Sequence, residues 1–263
     1  MSALKLLKPA PGLRVLVTGA ATGIGAAIAQ AFLEADAAVY VCDMDASAID
    51  RAKASHPRLY AGVADVANRE QVDAVIDDAR RSLGGLDILV NNAGIAGPTG
   101  AVESIDPGEW ERTVATNLNS QYYFLRKAVP VLKESSDCPG IIAMSSVAGR
   151  LGYGFRTPYA ATKWAIVGLV KSLAVELGPD NIRVNAILPG VVEGERMDRV
   201  IAARAESLGI TADAMREEYL RKISLRRMVT VEDIAAMTLF LASPAGRNIS
   251  GQAISVDGNV EYL

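Results

Sequence analysis

The sequence has a single histidine, His56, and that scarcity already excludes much chemistry. No His-rich zinc site and no HExxH centre can be built from one imidazole. A Ser-His-Asp hydrolase would depend on His56 alone. Cysteine is equally sparse, with only Cys42 and Cys138 in 263 residues. A disulfide-stapled secreted domain needs more, so the expectation is free thiols in a reducing compartment. No apolar run reaches the roughly 18 residues of a membrane-spanning helix. The first residues, Met1–Pro11, carry Lys5 and Lys8 among leucines and lack the apolar stretch of a secretory signal. There is no basic block. Lys plus Arg number 27 against 30 Asp plus Glu, a formal charge of −3, which leaves no electrostatic footprint for nucleic acid. The chain is expected to be soluble and cytoplasmic, with neither membrane nor nucleic acid among its partners.

What is present is hydrophobic and regularly patterned: half the residues are apolar. Short apolar runs alternate with longer amphipathic ones. Strands are expected at Arg14–Thr18, Ala38–Cys42, Leu59–Val63, Leu86–Val90, Ile141–Ser145, Arg183–Leu188 and Ala253–Val256. Helices are expected at Gly23–Ala35, Ala46–Ala54, Arg69–Leu83, Pro107–Lys133 and Thr157–Leu177. Continuously apolar strands separated by helices predict an α/β fold, a doubly wound parallel sheet of about seven strands with helices on both faces. The stretch 191–229 is charged, helical in pattern and too long for an ordinary connection. It reads as an insertion beside the sheet in an otherwise single domain, 1–263.

The first strand runs into Thr18-Gly19-Ala20-Ala21-Thr22-Gly23-Ile24-Gly25. Glycines let backbone N–H groups approach a pyrophosphate, and the following helix aims its positive end at the anion. The spacing differs from the common G-x-G-x-x-G fingerprint. Asp43, at the end of the second strand, can accept hydrogen bonds from ribose hydroxyls and repel a 2′-phosphate, which favours NAD over NADP. Asp45 leaves that register open by a residue or two.

Tyr159 and Lys163 lie four apart in a helix and share a face. An ammonium near a phenol favours the phenolate, and a tyrosine so tuned can serve as general acid or base. Ser145 and Ser146 end a buried strand, the edge where open α/β sheets bind ligands. A serine hydroxyl there can bond a substrate oxygen as charge develops.

In combination these pieces resemble the classical short-chain dehydrogenase/reductase family over nearly the whole chain. The resemblance rests on Thr18-Gly19-x-x-x-Gly23-x-Gly25, Asn91-Asn92-Ala93-Gly94, Asn117, Ser146, Tyr159-x-x-x-Lys163 and Pro189-Gly190. Ser146 lies 13 residues before Tyr159, as the family pattern requires, which selects it over Ser145. The resemblance implies a Rossmann-type fold and hydride exchange with a nicotinamide ring. It implies that Tyr159 moves the proton, that Lys163 tunes Tyr159 and holds the nicotinamide ribose, and that Ser146 positions the substrate oxygen. Asn117 would hold a water in a proton relay. The implied cofactor contacts are Gly19, Thr22, Gly23, Ile24, Asp43, Asp65, Val66, Asn92, Ala93, Gly94, Pro189, Gly190 and Val192. A threonine often found beyond the Pro-Gly turn is absent from Val191-Val192-Glu193-Gly194-Glu195.

No Asp or Glu occurs from Cys138 through Val175, yet Arg150 and Arg156 lie between the serine and tyrosine of the motif. One of them is expected to pair with an anionic group on the substrate, such as a carboxylate. The expected reaction interconverts a secondary alcohol and a ketone on a small polar metabolite such as a sugar acid or hydroxy acid. A 3-oxoacyl-thioester reductase is the alternative, opposed by Asp43. A non-catalytic nucleotide sensor would not be expected to keep the Tyr-Lys pair. The apolar tail residues Val260, Tyr262 and Leu263 suggest a subunit contact, and the family resemblance implies a homotetramer.

Overall fold

The computed structural model describes residues 3–135 and 138–261. A short helix α1 (Ala3–Leu6) precedes β1 (Arg14–Thr18), α2 (Gly23–Glu34), β2 (Ala38–Asp43), α3 (Ala46–Ser55), β3 (Tyr60–Val63), α4 (Arg69–Leu83) and β4 (Ile88–Asn91). There follow α5 (Pro107–Val114), a π-helical turn (Ala115–Asn119), α6 (Ser120–Leu132), β5 (Gly140–Met144), α7 (Thr157–Leu177) and β6 (Arg183–Pro189). The chain continues through α8 (Glu195–Leu208), α9 (Ala212–Arg221), α10 (Val231–Ala242) and β7 (Ala253–Val256).

The seven strands pair in the order β3-β2-β1-β4-β5-β6-β7, all parallel. Successive strand residues point to opposite faces, and both faces are covered. Leu16, Leu89, Ile141 and Val184 pack with residues of α4, α6 and α7. Val15, Val17, Val90 and Ile142 pack with residues of α2 and α10. This explains why the strands read as continuous apolar runs. A third, smaller cluster joins α8 and α9 to Val147 and Val260. The helical pattern at 191–229 is therefore a pair of helices beyond the end of β6, with Val192 bridged to Val229 at its base.

Two expectations change. The long helix over Pro107–Lys133 is interrupted by the π turn at Ala115–Asn119. Val260 is not a free tail residue: it is buried and pairs with Ile223 of the same chain. Tyr262 and Leu263 lie outside the described residues. Helix α10 was not legible as an amphipathic stripe because it is apolar on most sides. Its start is nevertheless written locally, as a capping box between Thr230 and Asp233.

Candidate active site

Because every strand runs the same way, the loops after β1, β2, β3, β4, β5 and β6 share one edge of the sheet. The order reverses between β1 and β4, and a crevice opens at such a switch point. The glycine turn after β1 and Asn92–Gly94 after β4 flank it. Gly19 has φ +61°, and a Cβ there would lie 2.8 Å from Ala93 Cα, so no larger residue fits. Thr18 locks the two loops together: its Oγ1 accepts from Asn92 N and Ala93 N, both at 3.0 Å. Asn92 Nδ2 donates to the carbonyls of Thr18 and Gly19, both at 2.9 Å. Asn92 thus braces the glycine turn through its backbone.

These residues fit a nicotinamide dinucleotide. Gly23 has φ +59° and nothing near the place a Cβ would occupy. Thr22 makes no side-chain cap bond, which leaves the first-turn N–H groups of α2 for an anion. Of the two aspartates the sequence left open, Asp43 is the one turned toward the glycine turn. Its carboxylate accepts from Ala21 N at 3.1 Å and from Asp45 N at 3.2 Å. Asp45 instead caps α3, accepting from Ala48 N. Asp65 and Val66 follow β3, where Asp65 turns its carboxylate to Ala67 N at 2.9 Å and Val66 is buried. Pro189 ends β6, and Gly190 N donates to Val256 O at 3.0 Å.

Across the crevice, α7 carries Tyr159 and Lys163. Lys163 is buried, with Nζ 5.6 Å from the Tyr159 ring centroid. The end of β5 grips this lysine twice. Lys163 Nζ donates to Met144 O at 2.9 Å, and Ser145 Oγ donates to Lys163 O at 2.7 Å. Ser145 is thereby committed to α7, while Ser146 opens the next turn and accepts from Ala148 N at 3.2 Å. Gly94 comes from the opposite side: a Cβ on it would lie 3.6 Å from Lys163 Nζ. Asn117 sits fully buried in the π turn. Its side chain accepts from Ile95 N at 2.7 Å and donates to Ile95 O at 3.0 Å and Thr162 Oγ1 at 3.3 Å. π turns recur where a helix must re-aim a side chain, and this one aims Asn117 at the loop that crosses Lys163.

The two candidate substrate arginines part company. Arg150 Nη2 donates to Asp257 Oδ2 and Val260 O, both at 2.7 Å, and Nε donates to Ser255 Oγ at 3.0 Å. Its guanidinium is satisfied within the chain, so the structure gives it a structural partner in place of the expected substrate anion. Arg156 is 6% exposed and lies 5.3 Å from the ring centroids of both Tyr153 and Tyr159. Sequence reasoning missed Thr18 as a loop lock, Met144 and Ser145 as the lysine clamp, and Tyr153. Each acts through contacts remote in sequence, which spacing alone does not display. Among the described residues no cluster of three potential metal ligands exists.

Comparison with known proteins agrees with this geometry. The family model described as enoyl-(acyl carrier protein) reductase matches residues 19–260. The chain is 36% identical over 244 residues to galactitol 2-dehydrogenase of Agrobacterium fabrum, covering 92% of this chain and 95% of that one. It is 34% identical over 252 residues to D-beta-hydroxybutyrate dehydrogenase of Cupriavidus necator, covering 94% and 97%. The ligand-free aldohexose dehydrogenase of Thermoplasma acidophilum superposes with a TM-score of 0.86 at 30% identity, over 95% of this chain and 94% of that one. With its sheet order, its glycine turn and its Tyr159–Lys163 helix, the chain belongs to the classical short-chain dehydrogenase/reductase family, whose members oxidise or reduce at CH–OH groups.

Proposed function

We propose that this enzyme interconverts a secondary alcohol and a ketone on a small polar metabolite, with NAD as its cofactor and Tyr159 as its general acid/base. The observation that carries this reading is the clamp on Lys163, which holds a buried ammonium beneath the Tyr159 ring. When bound, NAD would supply the acceptor for the hydride leaving the carbinol carbon.

The remaining work falls to side chains of the chain itself. Tyr159 Oη takes the hydroxyl proton of the alcohol, and Lys163 stabilises the phenolate that makes this possible. Ser146 Oγ accepts from Ala148 N–H, and its own O–H is available to donate to the substrate oxygen. Asn117, fixed through Ile95 and Thr162, would help hold a water in a proton relay running from Lys163 to solvent. Gly19, Thr22, Gly23 and Ile24 would receive the pyrophosphate. Asp43 would receive the adenosine ribose, Asp65 and Val66 the adenine. Asn92, Ala93 and Gly94 would border the ribose path, and Pro189, Gly190 and Val192 the nicotinamide. Relatives named for galactitol and for hydroxybutyrate support a small polar substrate. The same reading takes the chain as one domain with a substrate loop at 191–229. Its free thiols, Cys42 and Cys138, support a reducing compartment such as the cytoplasm. Exposed Tyr122 on α6, with Trp164 and Val175 on α7, offers apolar surface to further copies in a homotetramer.

Tyr159→Phe tests the assignment. A screen of alcohols, polyols and hydroxy acids followed by NADH absorbance identifies a working substrate. On it the variant loses roughly 10²–10⁴-fold in kcat, the range set by general acid–base catalysis, and still binds NAD by titration. Near-normal kcat would refute the acid/base role.

A further inference from the structure

Buried side-chain polar atoms that meet no hydrogen-bond partner among the described residues include Gln121 Oε1, Arg156 Nε and Arg183 Nε. The second belongs to a side chain packed against Tyr153. The Arg156 guanidinium lies 5.3 Å from the Tyr153 ring centroid. Tyr219, on α9, stands beside the same phenol; burial first, and Tyr219 second, push Tyr153 up to about 12. The Tyr219 hydroxyl has the Tyr153 phenol as its hydrogen-bond neighbour, so the orphan that needs a reason here is Arg156 Nε.

Charge sharpens the point. Arg156 forms no ion pair with a carboxylate among the described residues, and its hydrogen bond goes from Nη2 to Ala96 O at 2.7 Å. The segment around it, 138–175, has no acidic residue at all. A buried cation without a counter-ion is costly, and an arriving anion removes that cost. Arg156 also lies 5.3 Å from the Tyr159 ring centroid, so the uncompensated charge sits at the reacting phenol. On its far side stands the α8–α9 pair, with Tyr219 and Arg204 both bearing on Tyr153. The Arg156 guanidinium keeps an unfilled donor and an unbalanced charge, and a group with acceptor oxygens and a negative charge answers both. A polyol would fill the hydrogen bonds and leave the charge unbalanced.

We propose that Arg156, with Tyr153 and Tyr219 packed beside it, forms a carboxylate subsite, which makes the substrate a short hydroxy acid held by its acid group while its carbinol oxygen meets Tyr159 and Ser146. This rests on the oxidoreductase reading above and adds the substrate class to it. Arg150 has no part in the subsite, because Asp257 holds it.

The test compares a series of 2- and 3-hydroxy acids of three to six carbons with their methyl esters, using NAD and then NADP. The wild-type enzyme prefers the acids. Arg156→Gln lowers the acid-to-ester ratio of kcat/KM by roughly tenfold to a hundredfold, the worth of a charged hydrogen bond. Most of that loss is in KM for the acid. Arg156→Lys keeps part of the preference, since it retains charge without the fork. Tyr219→Phe, which deletes one hydroxyl and preserves packing, lowers the ratio in the same direction even if the arginine variants fold poorly. Calorimetric titration with malonate gives an arm independent of turnover: saturable binding that Arg156→Gln abolishes supports the subsite. Esters used as well as acids by the wild type, equal losses on both in the variants, or no malonate binding would overturn the subsite and leave the oxidoreductase reading standing. Malonate binding without turnover of any alcohol by either cofactor would do the reverse.

Discussion

A carboxylate held by two backbone N–H groups cannot turn away from what faces it, and this is the condition of Asp43. Ala21 N, in the glycine turn, and Asp45 N fix it from two sides. A 2′-phosphate entering there would meet a fixed negative charge, whereas ribose hydroxyls would meet an acceptor. Asp43→Ala is therefore expected to narrow the NAD-over-NADP ratio of kcat/KM by roughly tenfold or more, consistent with the worth of a charged hydrogen bond. An unchanged ratio would move the selectivity to another residue. From the sequence Asp45 left the register of Asp43 open by a residue or two; the bond from Ala21 to Asp43 and the cap bond from Ala48 to Asp45 separate them. Arg150 and Arg156 were similarly ambiguous. Their local charge pattern is shared, and what distinguishes them is Asp257, more than a hundred residues away from Arg150.

Secondary structure was more legible than side-chain partnership, for a physical reason. A strand buried on both faces is apolar throughout, and a helix begins at a residue able to cap it. Arg14–Thr18, buried from its second residue on, and Arg69–Leu83, capped by Asn68, thus have the bounds their patterns predict. The π turn was not legible, because it is imposed by Asn117 bonding across to Ile95 and not by local propensity. Tertiary contacts also set the opposite edge of the sheet. Asp87, before β4, accepts from Arg14 N at 2.8 Å, from Arg14 Nη2 at 2.5 Å and from Ser135 Oγ at 2.6 Å. Burial alone would raise its carboxyl, but the bonds from Arg14 and Ser135 outweigh burial and hold it below its ordinary value. A carboxylate lowered in the folded state stabilises fully above its unfolded pKa of about 3.9, and that contribution is lost as pH falls through the folded value. Asp87→Asn is expected to cost about 3 kcal/mol near neutral pH. Thermal melts across pH check it: the gap between wild type and variant closes below about pH 4, and a gap independent of pH would remove Asp87 from acid stability.

At the scale of the molecule, the chain's last described segment fastens the α8–α9 pair to the sheet. Asp257 follows β7, Val260 is buried beneath α9, and Arg150 from the loop after β5 binds both. Ser224 N and Leu225 N donate to Asn259 O and Gly258 O, continuing the seam behind α9. One guanidinium therefore joins three regions: the loop that carries Ser146, the end of β7, and the α8–α9 pair that covers Tyr153. Glycines and motif spacing announce the cofactor edge of such a fold, but a seam of this kind has no sequence signature, since its members are scattered from 150 to 260. Arg150 is partly exposed and Asp257 is buried, so the pair sits between a weak surface bridge and a costly buried one. Arg150→Gln should lower stability by on the order of 1–2 kcal/mol. Its effect should also be regional. Amide hydrogen exchange should quicken across 212–229 and 257–261, while the β1–β4 half keeps its protection, because no strand pairing there depends on the latch. KM should rise alike for an acid and its ester, since the α8–α9 cover loosens over both. Uniform exchange across the whole sheet would mean that Arg150 stabilises the fold as a whole and does not fasten this one side of it.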